Sequence, residues 1–348
     1  MFIKMISCLL VFAPIAILDA CCWAADTHRL TREGGQMEAA EKDELEAQVS
    51  RSPHDLESRT KLLGYYFRKR TQDPESKAAK ARHVIWLIQN APAADVLGLP
   101  YGQLDKILEP DAYEQARQAW LVELEDTPEN LGVVKNAAAF FLLHDRETAE
   151  TLLRKGQEAD PDNAEWAVAL GGLYWLNLQS LIDGPARSSI AKQAFDQYKR
   201  AYERSEPVAR EFLVIDPAKS AFDAGEMDAA ETFSKETLAG SETSANAGNR
   251  IHHGNLILGR IALRKGDVEE AKIRLLAAGK TPGSPQLDSF GPNMTLAKEL
   301  LERGERETVL EYFTLCSQFW KSPFQKLDEW TEDVKAGRVP RFGGNLAY

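Results

Sequence analysis

Metal ligation is the first chemistry to test in this sequence, because histidine is the commonest protein ligand of metals. The six histidines are His28, His54, His83, His144, His252 and His253. No two of them lie three or four residues apart, the spacing that brings side chains together on one face of a helix. His252 and His253 are adjacent, and successive side chains of a helix point about 100° apart. We therefore expect neither a metal site nor a cofactor.

Nucleophilic and hydrolytic catalysis lack their signatures as well. The sequence contains no G-x-S-x-G or H-E-x-x-H motif, which would mark a serine hydrolase or a zinc protease. Glu165, Trp166 and Trp175 lie near one another along the chain, and a carboxylic acid beside stacking aromatic rings suits the cleavage of a glycan. The same tryptophans also fit ordinary helix packing. We predict that the chain is not an enzyme, with a glycan-binding or glycan-processing solenoid of the cell envelope as the alternative.

The charge balance limits the partners that the chain can bind. Its 348 residues include 53 acidic and 42 basic side chains, for a formal net charge of −11. Because phosphate backbones are bound by basic surfaces, this balance argues against nucleic acid as a partner. The 44% hydrophobic and 27% charged residues are typical of folded globular domains.

Residues 1–24 are typical of a signal peptide rather than of a folded element. Lys4 provides a positive start, and the segment from Met5 to Leu18 is almost entirely apolar. The segment is shorter than the roughly 20 residues that a membrane-spanning helix needs, and it fits a secretory signal. We therefore predict a periplasmic or otherwise exported bacterial protein.

Two processing sites compete at the end of this signal. The small residues of Cys22-Trp23-Ala24 favour cleavage before Ala25. The run Leu18-Asp19-Ala20-Cys21 is similar to a bacterial lipobox and would place a lipid on Cys21. The chain would then be a lipoprotein that contacts the membrane only through this anchor; an uncleaved signal anchor is a third alternative. Cys316 is the one cysteine of the remaining chain, so it lacks an internal disulfide partner and we expect a buried thiol.

A helix-pair pattern recurs every 33 to 41 residues from about Leu56 onward. Ala137 and Gly171 are 34 residues apart, as are Phe140 and Tyr174. Small and large apolar residues at such offsets allow two antiparallel helices to pack and each pair to stack on the next. The sequence lacks the β-branched runs and the glycine-rich phosphate loop that would indicate a parallel α/β fold. It therefore predicts an all-α solenoid.

The clearest unit resembles the tetratricopeptide repeat (TPR) at nearly every signature position. Its matching residues are Val133, Ala137, Phe140, Ala149, Leu153, Gly156 and Pro161. Asn136 departs from the family pattern, which usually has leucine there. The resemblance implies a right-handed superhelix, in which the first helix of each pair lines a concave groove that binds other proteins.

The repeats predict how the chain is organised. After the signal, a lead-in with a first helix would occupy residues 25–54, and about six helix pairs would fill 55–207 and 208–320. The second pair would open with a helix from Leu97 to Leu108. A capping helix and tail would take 321–348, with the helix starting at Ser322-Pro323 and carrying Trp330.

Glycine marks the turn of each C-terminal repeat. Gly225, Gly266 and Gly304 each stand five residues before an apolar residue of the return helix. Those residues are Ala230, Ala271 and Val309. We expect the glycines to turn the chain and the apolar residues to pack between the paired helices.

In the register that the resemblance implies, three basic residues fall at the same inner position of the last three repeats. They are Lys219, Arg260 and Lys298, with Phe222, Trp175 and His253 as further candidates in the same groove. Stacked cations in a partly desolvated groove would bind carboxylates, because charge-assisted hydrogen bonds are strong there. We therefore expect a module that binds a partner protein or peptide, with an acidic segment favoured. Self-association is the remaining alternative.

Overall fold

The computed structural model describes residues 21–181, 184–321 and 325–347. Within these ranges the chain forms α-helices joined by turns, and no β-strand, so the predicted all-α class is confirmed. Helices that follow one another along the chain pack against each other in pairs. The chain divides into two compact units, Met1–Pro161 and Asp162–Tyr348. None of the described helices is long and apolar enough to cross a membrane.

The first unit contains seven α-helices in its described part. They are α1 (Cys21–Gln36), α2 (Ala39–Arg51), α3 (Leu56–Lys69), α4 (Pro74–Asn90), α5 (Pro110–Asp126), α6 (Leu131–Phe141) and α7 (Arg146–Ala159). The side chains of Asp55, Asp73, Asn130 and Asp145 accept hydrogen bonds from backbone N–H groups in the first turns of α3, α4, α6 and α7. These amide groups have no partner inside a helix, so each cap helps to set where its helix begins.

Helix α1 packs closely against α3, where the sequence predicts a loose lead-in. A Cβ atom on Gly34 would lie 1.9 Å from the carbonyl oxygen of Lys61, and one on Gly64 would lie 2.1 Å from that of Thr31. Only glycine permits this approach of two backbones. Residues 1–20 of the predicted signal lie outside the part of the chain that the structure describes. Cleavage before Ala25 and lipidation of Cys21 therefore stay predictions.

The predicted helix from Leu97 to Leu108 is wrong. Two short 3-10 turns, Asp95–Gly98 and Pro100–Gly102, and an irregular segment take its place. Pro100 disfavours helical backbone at the residue before it, which breaks the apolar period that suggested a helix. Helix α5 therefore has no first helix of its own pair, and it packs directly against α4.

Asn136, the departure from the repeat pattern, holds these turns in place. Its buried amide nitrogen donates hydrogen bonds to the carbonyl oxygens of Pro92 and Ala94, at 2.9 and 3.0 Å. A Cβ atom on Gly98 would lie 2.8 Å from the Asn136 side-chain oxygen, so the first turn also lies close to this amide. A polar residue thus binds irregular backbone at a position where the repeat family packs a leucine against a helix.

Helices α6 and α7 match the pattern that predicted them. The residues that carry it, Val133, Ala137, Phe140, Ala149 and Leu153, are all at most 4% exposed. Phe140 also stacks on Tyr113 of α5, with ring centroids 4.9 Å apart. This pair therefore packs as a regular repeat beside the irregular one.

The second unit contains eleven α-helices in its described part. They are α8 (Ala164–Leu178), α9 (Pro185–Arg204), α10 (Pro207–Leu213), α11 (Ile215–Ala224), α12 (Met227–Leu238), α13 (Ala247–Arg264), α14 (Val268–Gly279), α15 (Pro285–Phe290), α16 (Thr295–Leu301), α17 (Arg306–Cys316) and α18 (Lys326–Lys335). The antiparallel pairs are α8–α9, α11–α12, α13–α14 and α16–α17. In the first pair, Gly171 of α8 leaves room for the ring of Tyr198 on α9, which a Cβ atom would approach to 2.8 Å.

The three predicted glycine turns are confirmed, and they share one geometry. Gly225, Gly266 and Gly304 have φ values of 80°, 82° and 89°. Each glycine N–H donates to the carbonyl three residues earlier, and the next N–H donates to the carbonyl five residues before it. This pair of hydrogen bonds closes a helix C-terminus and needs left-handed backbone, which glycine adopts without strain. The apolar residue five positions after each glycine is fully buried.

The C-terminal helix covers the end of the repeats through aromatic packing. Trp330 of α18 lies against Trp320 and Phe342, with ring centroids 5.7 and 5.0 Å away. The predicted helix start at Ser322-Pro323 lies outside the described residues. The expected burial of Cys316 is confirmed, and burial raises the pKa of its thiol.

We expect Gly34→Ala to destabilise the first unit by about 1–3 kcal/mol, because the new methyl group meets the α3 backbone and overpacks the crossing. Urea unfolding followed by circular dichroism, with hydrogen exchange in α1, measures the effect.

The neighbouring Gly35→Ala is the matched control. Its Cβ atom would meet its nearest neighbour at an ordinary 3.7 Å. This change should be neutral or stabilise by up to about 1 kcal/mol, since alanine favours helix over glycine. Equal effects of the two changes would contradict the close crossing.

Candidate functional site: a charged recess in the second unit

The three predicted cations lie on neighbouring helices of the second unit. Lys219 is on α11, Arg260 on α13 and Lys298 on α16. Helix α13 packs against both α11 and α16. The first helices of three successive pairs therefore lie side by side, as the repeat register predicts, and each contributes one cation.

Arg260 is fixed in the middle of this surface by two partners. Its Nε donates to a carboxylate oxygen of Glu299 at 2.9 Å, and both side chains are 22% exposed. Its guanidinium lies 4.2 Å from the ring centroid of Phe222, and that of Arg264 lies 5.3 Å from the same ring. Such stacking is favourable and restricts the side chain. Arg260 is therefore held in one position before any ligand arrives.

Helix α11 presents three charged side chains along one face. Asp216, Lys219 and Asp223 stand at positions i, i+3 and i+7 of this helix, so their side chains project in similar directions. Asp216 and Lys219 are half-buried, whereas Asp223 is exposed. Together with Arg260 and Glu299 they form the group that we call the charged recess.

The surrounding protein shifts the pKa values of Asp216, Lys219 and Asp223. Desolvation raises the pKa of Asp216 to about 6 against the attraction of Lys219, and desolvation lowers the pKa of Lys219. Desolvation also raises the pKa of Asp223, although the cations Arg260 and Arg187 oppose it.

These three charges lack close partners among the residues that the structure describes. It shows no hydrogen bond or ion pair between their charged atoms and any residue of the described ranges. Desolvating a charge without pairing it is unfavourable, and groups with shifted pKa values are enriched at functional sites. The face of α11 is therefore suited to bind a polar or charged ligand.

The remaining predicted residues differ in how accessible they are. Lys298 is exposed: 44% of its side chain is accessible to solvent. Its Nζ lies 3.8 Å from the carboxylate of Glu302, the residue that follows α16. Trp175 of α8 is half-buried. Phe222 and His253 are 4% and 7% exposed. Phe222 thus serves as the platform under Arg260 rather than as an exposed anchor.

Carboxylates alternate with the cations, so the surface is a mixed-charge recess rather than a purely positive stripe. The sequence reasoning selected cations by their repeat position and overlooked Asp216, Asp223 and Glu299. Two of these have a signal in the sequence, since they lie three residues before and four after Lys219 on one helix. Glu299 could be identified only once α13 and α16 were placed side by side.

His252 and His253 are used for packing. The Nδ1 of His252 lies 3.2 Å from the carbonyl oxygen of Ala278, and its Nε2 accepts a hydrogen bond from the backbone N–H of Asn293 at 3.1 Å. Burial lowers the pKa of His252 to about 4, which keeps the ring neutral. Within the described ranges no group of three histidine, cysteine or acidic side chains is arranged to hold a metal.

An acid–histidine contact in the first unit also takes part in packing between helices. His83 donates from Nε2 to Glu46 at 3.0 Å, and this hydrogen bond lowers the pKa of Glu46 to about 2. The other ring nitrogen of His83 lies 3.1 Å from the guanidinium of Arg59, which stacks on Trp86 at 3.5 Å. Because arginine can only donate, this nitrogen accepts the bond. Neither ring nitrogen is left to act as a general base.

We expect Asp216→Asn to become more stable relative to the unchanged chain as the pH rises from 4 to 7. The folded-state pKa of Asp216 is raised from 3.8 to about 6, so the stability due to its protonated form is complete at low pH and is lost as the pH passes about 6. The difference in unfolding free energy should grow by up to about 3 kcal/mol. Urea unfolding at several pH values measures it.

Glu231→Gln provides a control of opposite sign. Hydrogen bonds from Lys235 and Lys265 lower the pKa of the half-buried Glu231 to about 2, so its charged form stabilises the fold above about pH 4. This variant should be less stable than the unchanged chain at pH 7. A flat difference for Asp216→Asn across the range would contradict the desolvation of the recess.

Comparison with the models of known protein families gives no match, and comparison with curated proteins gives no significant match.

Proposed function

We propose that this chain is an exported helical-repeat protein whose second unit binds a partner protein or peptide in the charged recess. The observation that carries the proposal is the face of α11, where Asp216, Lys219 and Asp223 are desolvated without a close partner among the described residues. An arrangement that destabilises the isolated fold is best explained by a ligand that compensates the charges.

The recess can recognise a partner of mixed polarity. Lys219 and Arg260 would bind its carboxylates, and Asp216 and Asp223 would accept hydrogen bonds from its amide or ammonium groups. Arg260 is already fixed by Glu299 and Phe222, so little side-chain entropy is lost on binding there. Acidic segments remain favoured, because Lys298 adds a third, more accessible cation beside the recess.

The repeat architecture supports a binding role. Three first helices lie side by side and end in the same glycine turn, which is the arrangement that the resemblance to tetratricopeptide repeats implies. Stacked helix pairs present extended surfaces to other chains. We therefore propose that the second unit is a TPR-like binding surface and that the chain is not an enzyme.

The first test is affinity capture from a cell-envelope extract with the full-length chain at about 50 mM and about 500 mM salt. Partner binding should be lost at the higher concentration, because salt screens the exposed charges of the recess. The captured partner is then titrated against the double variant Lys219→Gln with Arg260→Gln. We expect binding to weaken about tenfold or more.

Lys280→Gln with Lys321→Gln is the matched control. Both lysines are exposed in the second unit, so this variant loses the same number of charges away from the recess. Equal weakening by both double variants would show that net charge, not the recess, controls binding. Circular dichroism verifies that each variant is folded.

Two other outcomes would favour the alternatives. Recovery of glycan instead of protein would support an envelope-glycan solenoid, for which the half-buried Glu165 and Trp175 are the relevant groups. Trp166 is only 3% exposed, so Trp166 and Trp175 cannot both stack on a sugar. Recovery of the chain itself would support self-association.

We propose a periplasmic or otherwise exported location on the character of residues 1–24. Intact-mass spectrometry of the protein purified from its native envelope should find an N-terminus at Ala25, or a lipidated Cys21 in the membrane fraction. An intact Met1 terminus in a water-soluble fraction would contradict export.

A further inference from the structure

An open groove lies between α4 and α5 in the first unit. It encloses about 720 Å³ and is lined by one face of α5 and the facing edge of α4. It exists next to the irregular repeat, where α5 lacks the first helix of its own pair. The groove is therefore a product of the missing helix.

The floor of the groove is apolar and accessible. Ile85 of α4 is half-buried, Ala119 of α5 is buried, and Val122 is 54% exposed. Gln89 and Gln118 lie at its sides. A narrow apolar strip between polar edges is the form of surface that receives the apolar face of an amphipathic helix.

The rim of the groove carries negative charge. Asp111, Glu114 and Glu123 line it, and none of its lining residues is basic. Glu114 is already paired with Arg117 at 2.9 Å, so Asp111 and Glu123 are the carboxylates that a partner would meet. Desolvation raises the pKa of Glu123, and repulsion by Asp126 adds to the effect. Both lie in the last turn of α5, which contains no basic residue, so they also face the negative end of the helix dipole. A cation from outside the chain would relieve this repulsion.

We propose that this groove binds an amphipathic helix of a partner protein, with its apolar residues on the strip and its lysines or arginines against Asp111 and Glu123. The acidic lining spans 12 residue steps from Asp111 to Glu123, or about 18 Å at 1.5 Å per residue, enough for about three helical turns. This surface belongs to the first unit and is independent of the charged recess proposed above.

Three synthetic helical peptides of about 14 residues test the charge requirement. All carry leucine at positions i, i+3, i+4 and i+7, and their flanking positions are lysine, glutamine or glutamate. Their Kd for the full-length chain is measured by fluorescence anisotropy at low salt. We expect the lysine peptide to bind about tenfold more tightly than the glutamine peptide, and the glutamate peptide to bind most weakly.

Two variants assign the binding to the groove. Val122→Asp should weaken the lysine peptide at least about tenfold, because it places a charge on the apolar strip. Asp111→Asn with Glu123→Gln should remove most of the difference between the lysine and glutamine peptides. Val208→Asp is the matched control, since Val208 is 52% exposed on α10 of the second unit, and it should leave the Kd unchanged.

The proposal is overturned if the lysine peptide does not bind at up to about 1 mM, or if the three peptides have equal Kd values. It is also overturned if Val122→Asp and Val208→Asp behave alike. A fall in molar mass by light scattering on Val122→Asp would show that a second copy of the chain occupies the groove, which would likewise overturn it.

Discussion

The left-handed glycine at the end of α11, α13 and α16 is the constraint on which the last three repeats of the second unit depend. Gly225, Gly266 and Gly304 stop their helices at equivalent points and reverse the chain with the same two hydrogen bonds. Because the helices end alike, residues at equal distances before the glycines fall at equal heights on neighbouring helices. Lys219 and Arg260 each stand six residues before a glycine, which is why the recess combines charges from separate repeats.

The recess shows how a repeat array places charge without a deep pocket. Arg260 is paired and stacked, and it forms a rigid centre. Asp216, Lys219 and Asp223 have lost part of their hydration without gaining close partners in the described chain. The first kind of charge is held in one geometry by its partners. The second kind would gain most from a new partner, because its desolvation is not compensated within the described chain.

The sequence predicted what local chemistry determines. The glycine turns and the buried Cys316 follow from residue type and spacing, and the structure contains them. The irregular repeat was missed because its apolar spacing imitates a helix while Pro100 forbids one. The crossing at Gly34 was missed because it depends on a contact between distant parts of the chain. The carboxylates of the recess were missed because the register was searched for one sign of charge.

Replacing Asn136 by the leucine that is usual in tetratricopeptide repeats would remove two hydrogen bonds to the neighbouring backbone. The Asn136 amide donates to the carbonyl oxygens of Pro92 and Ala94, just before the 3-10 turns. A leucine there could not donate, so both hydrogen bonds would be lost, although the Ala94 oxygen would still accept one from the N–H of Leu97. The side chain at position 136 and the backbone that leads into the turns therefore depend on each other, and a change in either would weaken the other.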